Sequence, residues 1–260
     1  MSIKRKSAIE EQFDKDSHQY LSKHLTPIKI RERERILNLI DKRAKLQNIL
    51  DLGCGPGTIS ESLFEISENV WGIDISKDMV NIATERFVTA KSKSKIFFET
   101  GDAENLKFQD NYFDAVVCLG LLRYLDSWES GLKEIYRVLK PDGIVIVSFY
   151  YRFSPHWFSM FFIYRPLLPI VSIFKRRSFR DLMIKYKAEP LPFSYTKFMK
   201  AFRSTGFRHT KTQHSGFDIF PFNRLFPKLS TSLYLKAENK FYDSNKLGWL
   251  GSICIVKGFK

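Results

Sequence analysis

The chain has 260 residues, of which 44% are hydrophobic, and its 42 lysines and arginines outnumber its 28 aspartates and glutamates. This length and composition allow a buried core and exclude a disordered tail, a collagen-like chain and a disulfide-stapled miniprotein. The three cysteines have no CxxC spacing, so they suggest neither a metal site nor a disulfide framework, and a reducing, cytoplasmic compartment fits them best.

The first 45 residues predict helices. One helix candidate covers about residues 7–21, and a second begins after Thr26-Pro27, where a capping residue precedes a proline at the first helical position. No secretory signal is visible, and no apolar run is long enough to span a bilayer. We therefore expect residues 1–45 to form a helical cap on the part of the chain that follows.

Residues 46–150 predict an α/β core. Short apolar runs alternate with amphipathic stretches of helical length, which is the pattern of a parallel sheet covered on both faces. Strand candidates lie at residues 48–52, 69–74, 96–99, 113–118 and 143–149, and helix candidates lie at 58–66, 76–87 and 128–139.

A glycine-rich loop follows the first strand candidate. Gly53, Gly55 and Gly57 stand in GxGxG spacing, which permits a tight turn and lets a ligand approach a helix N-terminus closely. Dinucleotide sites instead use GxGxxG to hold a pyrophosphate. Asp51, two residues before the first glycine, would repel phosphate, so the loop favours a cationic ligand.

Two further acids follow the next two strand candidates. Asp74 comes seventeen residues after Gly57, near the place where a doubly wound fold binds both ribose hydroxyls. Asp102 follows the third strand candidate, where a carboxylate can accept from an exocyclic amine. Either acid alone could be a helix cap, and the glycines alone a tight turn. Their common position at the carboxyl ends of strands favours a nucleoside site.

These residues belong to a series of motifs that resembles the class I S-adenosylmethionine-dependent methyltransferases. The series runs in the family's order over about residues 45–150 and reads Asp51-Leu-Gly-Cys-Gly-Pro-Gly57, Gly72-Ile-Asp74-Ile-Ser, Gly101-Asp102-Ala, Phe113-Asp-Ala-Val-Val-Cys118 and Arg137-Val-Leu-Lys-Pro-Asp-Gly143. The resemblance implies a Rossmann-like α/β fold with a seven-stranded sheet. Its antiparallel last strand is expected near residues 251–257, paired with residues 207–214.

The resemblance also implies S-adenosylmethionine as cofactor, S-adenosylhomocysteine as product, and a role for each matching residue. The implied contacts are Asp51, Gly53, Cys54, Gly55 and Gly57 with the methionine part, Asp74 and Ile75 with the ribose, Asp102 and Ala103 with the adenine, Leu119 along the cofactor, and Tyr20 in an N-terminal lid.

The family pattern changes after the fourth strand. Leu121-Leu122-Arg123-Tyr124 replaces the paired histidine of many relatives, and no Asn-Pro-Pro-Tyr or Asp-Pro-Pro-Tyr segment is present, which disfavours methylation of nucleic-acid bases. An oxygen acceptor would need a base, and the candidates are His156, Tyr124, His209 and His214. An activated carbon or a phenolate acceptor would need none.

The excess positive charge lies in the second part of the chain. Residues 151–260 hold 20 basic and five acidic residues, and ten aromatic residues fall between positions 150 and 179. We expect an aromatic and basic insertion at 151–193, and a second insertion at about 217–247 within a C-terminal part that covers 194–260. Both suit a lid or a membrane contact, although the aromatic residues could instead form the core of a helical subdomain.

The leading functional interpretation is a methyltransferase that acts on a small hydrophobic or lipid-like acceptor, with a cytoplasmic location at the periphery of an anionic membrane. The alternatives are a methyltransferase of sugars or other polar metabolites, an RNA-binding methyltransferase and a non-catalytic adaptor. Prolines and bulky aliphatic residues interleaved with the basic ones disfavour nucleic acid as a partner.

Overall fold

The computed structural model describes residues 6–7, 9–14, 20, 26–40, 46–87, 95–159, 162, 166, 193–217, 227–244 and 247–260. The described residues of the N-terminal segment, 6–7 and 9–14, are helical. Most of the first predicted insertion and residues 218–226 of the second lie outside the described residues.

The sheet has seven strands in the order β3-β2-β1-β4-β5-β7-β6. The strands are β1 (Leu46–Leu52), β2 (Ser67–Asp74), β3 (Lys95–Thr100), β4 (Phe113–Leu119), β5 (Leu139–Tyr150), β6 (Arg208–Ser215) and β7 (Ile253–Phe259). Strands β1 to β5 pair in parallel, and the last strand runs antiparallel, so the predicted fold class is confirmed. The chain order reverses between β1 and β4, which is where open α/β sheets bind their ligands.

Helices connect and follow these strands. They are α1 (Pro27–Leu37), α2 (Thr58–Leu63), α3 (Lys77–Phe87), α4 (Trp128–Val138), α5 (Pro155–Ser159), α6 (Tyr195–Ser204) and α7 (Pro227–Phe241). Helix α1 begins at the predicted Pro27, directly after Thr26. Helix α4 begins after Ser127, whose side chain accepts a hydrogen bond from the backbone nitrogen of Ser130, because serine satisfies a free amide of a first helical turn.

The centre of the sheet is apolar on both faces. Ile49, Leu50, Val116, Val145 and Ile146 are fully buried in β1, β4 and β5. Parallel strands covered by helices on both sides require such continuous runs of aliphatic residues, because neither face of the strand meets water. This rigid centre holds the carboxyl ends of β1, β2 and β4 in fixed positions.

The largest difference between a predicted and an observed strand is at β5. Strand β5 begins at Leu139, four residues before the predicted start, because Leu139 pairs with Phe113 and the register then shifts before Ile144 pairs with Ala115. Asp142 lies in this irregularity with a φ of +58°, and Lys140-Pro141-Asp142-Gly143 therefore forms an interruption within the strand. The helix candidate at 128–139 therefore ends one residue early, at Val138, and the strand begins directly after it.

The chain divides into two compact units. The first contains residues 1–148, 199–211 and 256–260, and the second contains residues 149–198 and 212–255. The four-part division expected from the sequence stays a prediction. Among the helices that the structure describes, none has the length and apolar composition needed to cross a membrane.

Candidate cofactor site

The loop between β1 and α2 is built on three glycines in a left-handed backbone conformation. Gly53, Gly55 and Gly57 have φ angles of +77°, +51° and +76°. The backbone nitrogen of Gly53 donates to the carbonyl oxygen of Ile73 at 2.7 Å, which ties the loop to β2. A residue with a Cβ would be strained at each of these three positions.

Asp74, the last residue of β2, holds this loop in place. Its Oδ2 accepts from the backbone nitrogen of Gly55 at 2.9 Å, and its Oδ1 accepts from the backbone nitrogen of Ser76 at 2.9 Å. Burial raises the pKa of Asp74, while these backbone hydrogen bonds oppose the rise. Each carboxylate oxygen keeps a second lone pair, so the side chain can still accept from a pair of vicinal hydroxyls.

Asp102 lies in the turn after β3 and belongs to a small charged cluster. Its Oδ1 accepts from the backbone nitrogen of Glu104 at 2.9 Å, and its Oδ2 pairs with the Nζ of Lys6 at 2.6 Å. Lys6 also pairs with the Oε2 of Glu104 at 2.9 Å. The N-terminal helical segment is therefore attached to the end of β3 by one lysine that pairs with two acids.

These elements surround an open cavity of about 750 Å³ in the first unit. Eight of the eleven predicted cofactor residues line it, namely Tyr20, Gly53, Gly55, Asp74, Ile75, Asp102, Ala103 and Leu119. The structure thus brings together groups that arise from four separate strand ends and from the N-terminal segment.

The other three predicted cofactor residues are outside the described cavity wall. Asp51 is 2% exposed, and its Oδ2 accepts from the Oγ of Ser60 at 2.6 Å. Cys54 is buried, and the backbone at Gly57 packs against Phe98. These residues shape the glycine loop from within the fold, and their contact with a cofactor stays a prediction.

Aromatic side chains form an apolar part of the cavity wall. The ring of Phe13 makes edge contacts with Tyr20 and Tyr124, with centroid distances of 6.0 and 5.1 Å. The Cε1 of Tyr20 lies 3.6 Å from the point where a Cβ on Gly55 would stand. The N-terminal segment therefore contributes three lining residues beside Tyr20, which are Lys6, Ile9 and Phe13. From the sequence, only the lid role that the resemblance implies for Tyr20 indicated that this segment would contribute.

The three predicted catalytic residues lie in different units. Tyr124 belongs to a short 3-10 helix, Leu122–Tyr124, and lines the cavity. His156, in α5, and His214, in β6, belong to the second unit. Burial lowers the pKa of His214, whose ring packs against the backbone of Gly248, so His214 is neutral at pH 7. A catalytic role for any of the three stays a prediction.

The comparisons with known proteins agree with this geometry. Residues 50–147 match the family model described as a methyltransferase domain. The chain is 31% identical over 179 residues to a demethylmenaquinone methyltransferase of Symbiobacterium thermophilum, an alignment that covers 64% of this chain and 70% of that protein. The chain belongs to the class I S-adenosylmethionine-dependent methyltransferases.

Other relatives of this methyltransferase match over shorter lengths. A demethylmenaquinone methyltransferase of Leptospira interrogans is 41% identical over 103 residues, which are 38% of this chain and 41% of that protein. The mitochondrial ubiquinone biosynthesis O-methyltransferase of Saccharomyces cerevisiae is 33% identical over 54% of this chain and 45% of its own length. The methyltransferase thus spans less than half the length of these two relatives.

Solved structures share the fold of this methyltransferase. A methyltransferase of Thermotoga maritima has a TM-score of 0.62 at 22% identity and covers 95% of this chain and 98% of its own. The N-methyltransferase NodS of Bradyrhizobium japonicum, solved with S-adenosylhomocysteine, has a TM-score of 0.61 at 12% identity, with 98% of each chain covered.

The cavity of this methyltransferase fits S-adenosylmethionine, the family's cofactor. Asp74 and Asp102 both place carboxylates in the cavity wall, a residue type that can accept from ribose hydroxyls and from an adenine amine, and these two contacts stay predictions. At Gly55 a side chain would enter free space beside Tyr20, so the missing Cβ leaves room for a ligand close to the backbone. Among the described residues, no group of histidines, cysteines or acids could hold a metal ion.

Asp51 makes the stability of this methyltransferase depend on pH. Burial raises the pKa of Asp51 to about 7, the hydrogen bond from Ser60 opposes the rise, and the charge of Asp74 adds to it. In the unfolded chain an aspartate titrates near about 3.9, so between about pH 4 and pH 7 the unfolded state releases a proton that the folded state keeps. The free energy of unfolding therefore falls through this window.

Replacing Asp51 by asparagine should remove this dependence. We expect the thermal midpoint of D51N to rise relative to the wild type as the pH increases from 5 to about 7, and to stay level above that, with a full effect on the order of 4 kcal/mol. Calorimetric scans of both proteins across this range test it. Parallel curves for the two proteins would contradict the assignment of the titration to Asp51.

Proposed function

We propose that the protein transfers the methyl group of S-adenosylmethionine to a small, hydrophobic or lipid-like acceptor, and that it meets this acceptor at the surface of an anionic membrane. The observation that carries the proposal is the cavity itself. Its wall combines the carboxylates of Asp74 and Asp102 with the aromatic rings of Phe13, Tyr20 and Tyr124.

The names of the relatives support an apolar acceptor. Demethylmenaquinone methyltransferases and ubiquinone biosynthesis O-methyltransferases recur among the similar proteins, and quinones carry apolar chains. Leu121 and Leu125 line the cavity next to Tyr124, at the place where many relatives carry a paired histidine. An apolar wall there favours an acceptor that is bound by contact area and shape over one bound by many hydrogen bonds.

The cofactor supplies an electrophilic methyl group that is already activated, so the protein's tasks are binding, alignment and exclusion of water. Asp74 and the glycine loop orient the nucleoside, and Phe13 and Tyr20 keep water from the methionine side. Tyr124, which lies in the cavity wall, is placed to contact the acceptor or to hold its proton.

The charge distribution supports the membrane part of the proposal. Residues 151–260 carry 20 basic and five acidic residues, whereas the rest of the chain is close to neutral. Basic residues near an anionic bilayer contribute about 1 kcal/mol each, so a few on one face are sufficient for reversible binding.

Transfer of labelled methyl groups tests the proposal. Purified protein is incubated with methyl-labelled S-adenosylmethionine and either the reduced form of a demethylated naphthoquinone bearing a short isoprenoid chain, or a bacterial lipid extract, or a protein-free aqueous metabolite extract. We expect label in the organic phase from the first two and none from the third. A D74N variant is the control, because it should bind the cofactor poorly. Label that appears only in aqueous products would overturn the hydrophobic acceptor.

A further inference from the structure

Helix α7, Pro227–Phe241, belongs to the second unit and is anchored through one polar face. Ser230, Tyr234 and Glu238 stand four residues apart and are 7%, 3% and 0% exposed. The hydroxyl of Tyr234 lies 2.9 Å from the Oγ of Ser215 and accepts from the backbone nitrogen of Gly216 at 3.0 Å. Glu238 accepts from the Oγ of Ser215 at 3.1 Å. These buried contacts decide which face of the helix points outward.

The outward face combines apolar and basic residues. Leu229 is 53% exposed and Leu233 is 48% exposed, and they lie one helical turn apart. Lys228, Lys236 and Lys240 are exposed on the same helix. The helix has one acidic residue, Glu238, and that residue lies on the buried face. The exposed face therefore carries two leucines and three lysines and no carboxylate.

Two half-exposed leucines on one face are energetically unfavourable on a surface that contacts only water. Burying a leucine side chain contributes roughly 1.5–3 kcal/mol, so a partner that covers both would gain a substantial free energy. A row of lysines without any acid selects an anionic partner. A helix with leucines on one part of its face and lysines on the rest has the composition of an element that lies in the headgroup region of a bilayer.

The same unit exposes further aromatic residues. Phe153, Phe158 and Phe162 are 67%, 62% and 59% exposed. The rings of Phe158 and Phe162 are in contact with their centroids 4.5 Å apart and their planes tilted by 35°, and the guanidinium of Arg152 lies over the ring of Phe153 at 6.0 Å. Exposed phenylalanines beside a basic residue are suited to the interface of a membrane, where an apolar ring inserts and a cation meets the headgroups.

We propose that the outward face of α7 is the docking surface of this protein for anionic phospholipid bilayers, with Leu229 and Leu233 inserted and Lys228, Lys236 and Lys240 on the headgroups. This inference refines the proposed function, because it names the element through which a lipid-borne acceptor would be reached. RNA would be held by the lysines alone and would gain nothing from the two leucines.

Vesicle binding by the full chain tests the proposal. Co-sedimentation is measured with vesicles of phosphatidylcholine alone and with vesicles that contain phosphatidylglycerol, over a series of salt concentrations. We expect binding to the anionic vesicles that weakens with salt. Leu229→Ser with Leu233→Ser should reduce it by about tenfold or more, since two inserted side chains are lost. Lys236→Gln with Lys240→Gln should reduce it and flatten its salt dependence.

Two matched controls test whether the loss of vesicle binding is specific to the outward face of α7. Leu247→Ser changes another leucine of the second unit that is 40% exposed, and Lys133→Gln with Lys200→Gln removes two exposed lysines of the first unit. Both should bind vesicles like the wild type. The proposal is overturned if the wild type does not bind anionic vesicles, if the leucine pair has no effect, or if a labelled single-stranded RNA binds with the same dependence on Lys236 and Lys240 and vesicles do not.

Calorimetric titration with S-adenosylmethionine separates this inference from the proposed function. The variants of α7 should keep the cofactor affinity of the wild type, which also shows that they are folded. Vesicle binding without methyl transfer to lipid would leave the docking surface standing and remove the acceptor class. Methyl transfer to lipid, together with unchanged vesicle binding in the leucine variant, would remove the docking surface and leave the acceptor class standing.

Discussion

Replacing Asp74 by asparagine should weaken S-adenosylmethionine binding by up to about 100-fold, because asparagine keeps only one acceptor oxygen and a hydrogen bond to a charged group contributes roughly 1.5–3 kcal/mol. The substitution also places an amide group where Asp74 now accepts from Gly55 and Ser76. Only the carbonyl oxygen of the asparagine side chain can accept, so its NH2 group would face one of these two backbone nitrogens, which are both donors. Both effects act on the cofactor loop.

Isothermal titration of wild type and D74N with S-adenosylmethionine and with S-adenosylhomocysteine gives the measurement. Both ligands contain the same ribose, so we expect parallel losses. Asp78→Asn is the matched control, because Asp78 is an exposed acid in the first turn of α3, four residues further along the chain. Unchanged affinity in D74N would remove the assigned ribose site, and an equal loss in D78N would show a general effect of charge.

Replacing Gly57 by valine should produce the largest loss of stability. Gly57 has a φ of +76°, and a Cβ there would stand 3.0 Å from the Cζ of Phe98, 3.2 Å from the Cβ of Ala83 and 3.2 Å from the Cε2 of Phe87. Backbone strain at such a position costs about 1–3 kcal/mol, and overpacking costs about 1–3 kcal/mol more. We expect a loss of about 4 kcal/mol, seen as a thermal midpoint lower by roughly 10 °C.

Gly120→Val is the matched control for this prediction. Gly120 has a similar φ of +71°, but no atom lies within 4 Å of the point where its Cβ would stand. The control therefore contains the backbone strain without the collision, and it should lose only about half as much stability. Differential scanning calorimetry of both variants decides the point. Equal losses would mean that backbone conformation alone requires glycine at position 57.

The fold was predictable because its signals are local. The central strands β1, β4 and β5 contain runs of buried aliphatic residues. The glycines at positions 53, 55 and 57 predict a turn with left-handed backbone. Asp74 and Asp102 were placed correctly in one cavity wall because the carboxyl ends of parallel strands meet at the same edge of a sheet. That rule converts a position in the sequence into a position in space without knowledge of the packing.

Features that depend on contacts between distant residues were not predictable. Lys6 pairs with Asp102 across 96 positions, and no pattern in the sequence indicates that a lysine of the N-terminal segment would neutralise the acid expected to meet the adenine. Strand β5 begins early because Leu139 pairs with Phe113. The sequence did not predict this pairing, because Pro141 and Gly143, just after Leu139, disfavour a strand. The burial of Asp51 and the hydrogen bond that it accepts from Ser60 were likewise not indicated by the sequence.

The sequence by itself determined the order of strands and helices, the glycine loop, the acids at the strand ends and the cofactor class, because each of these depends on residue types at short spacing. The tertiary structure decided which residues share the cavity and which face of α7 is exposed, as well as the raised pKa of Asp51. These properties depend on burial and on the distance between charges. Both arise only when segments far apart in the chain pack together.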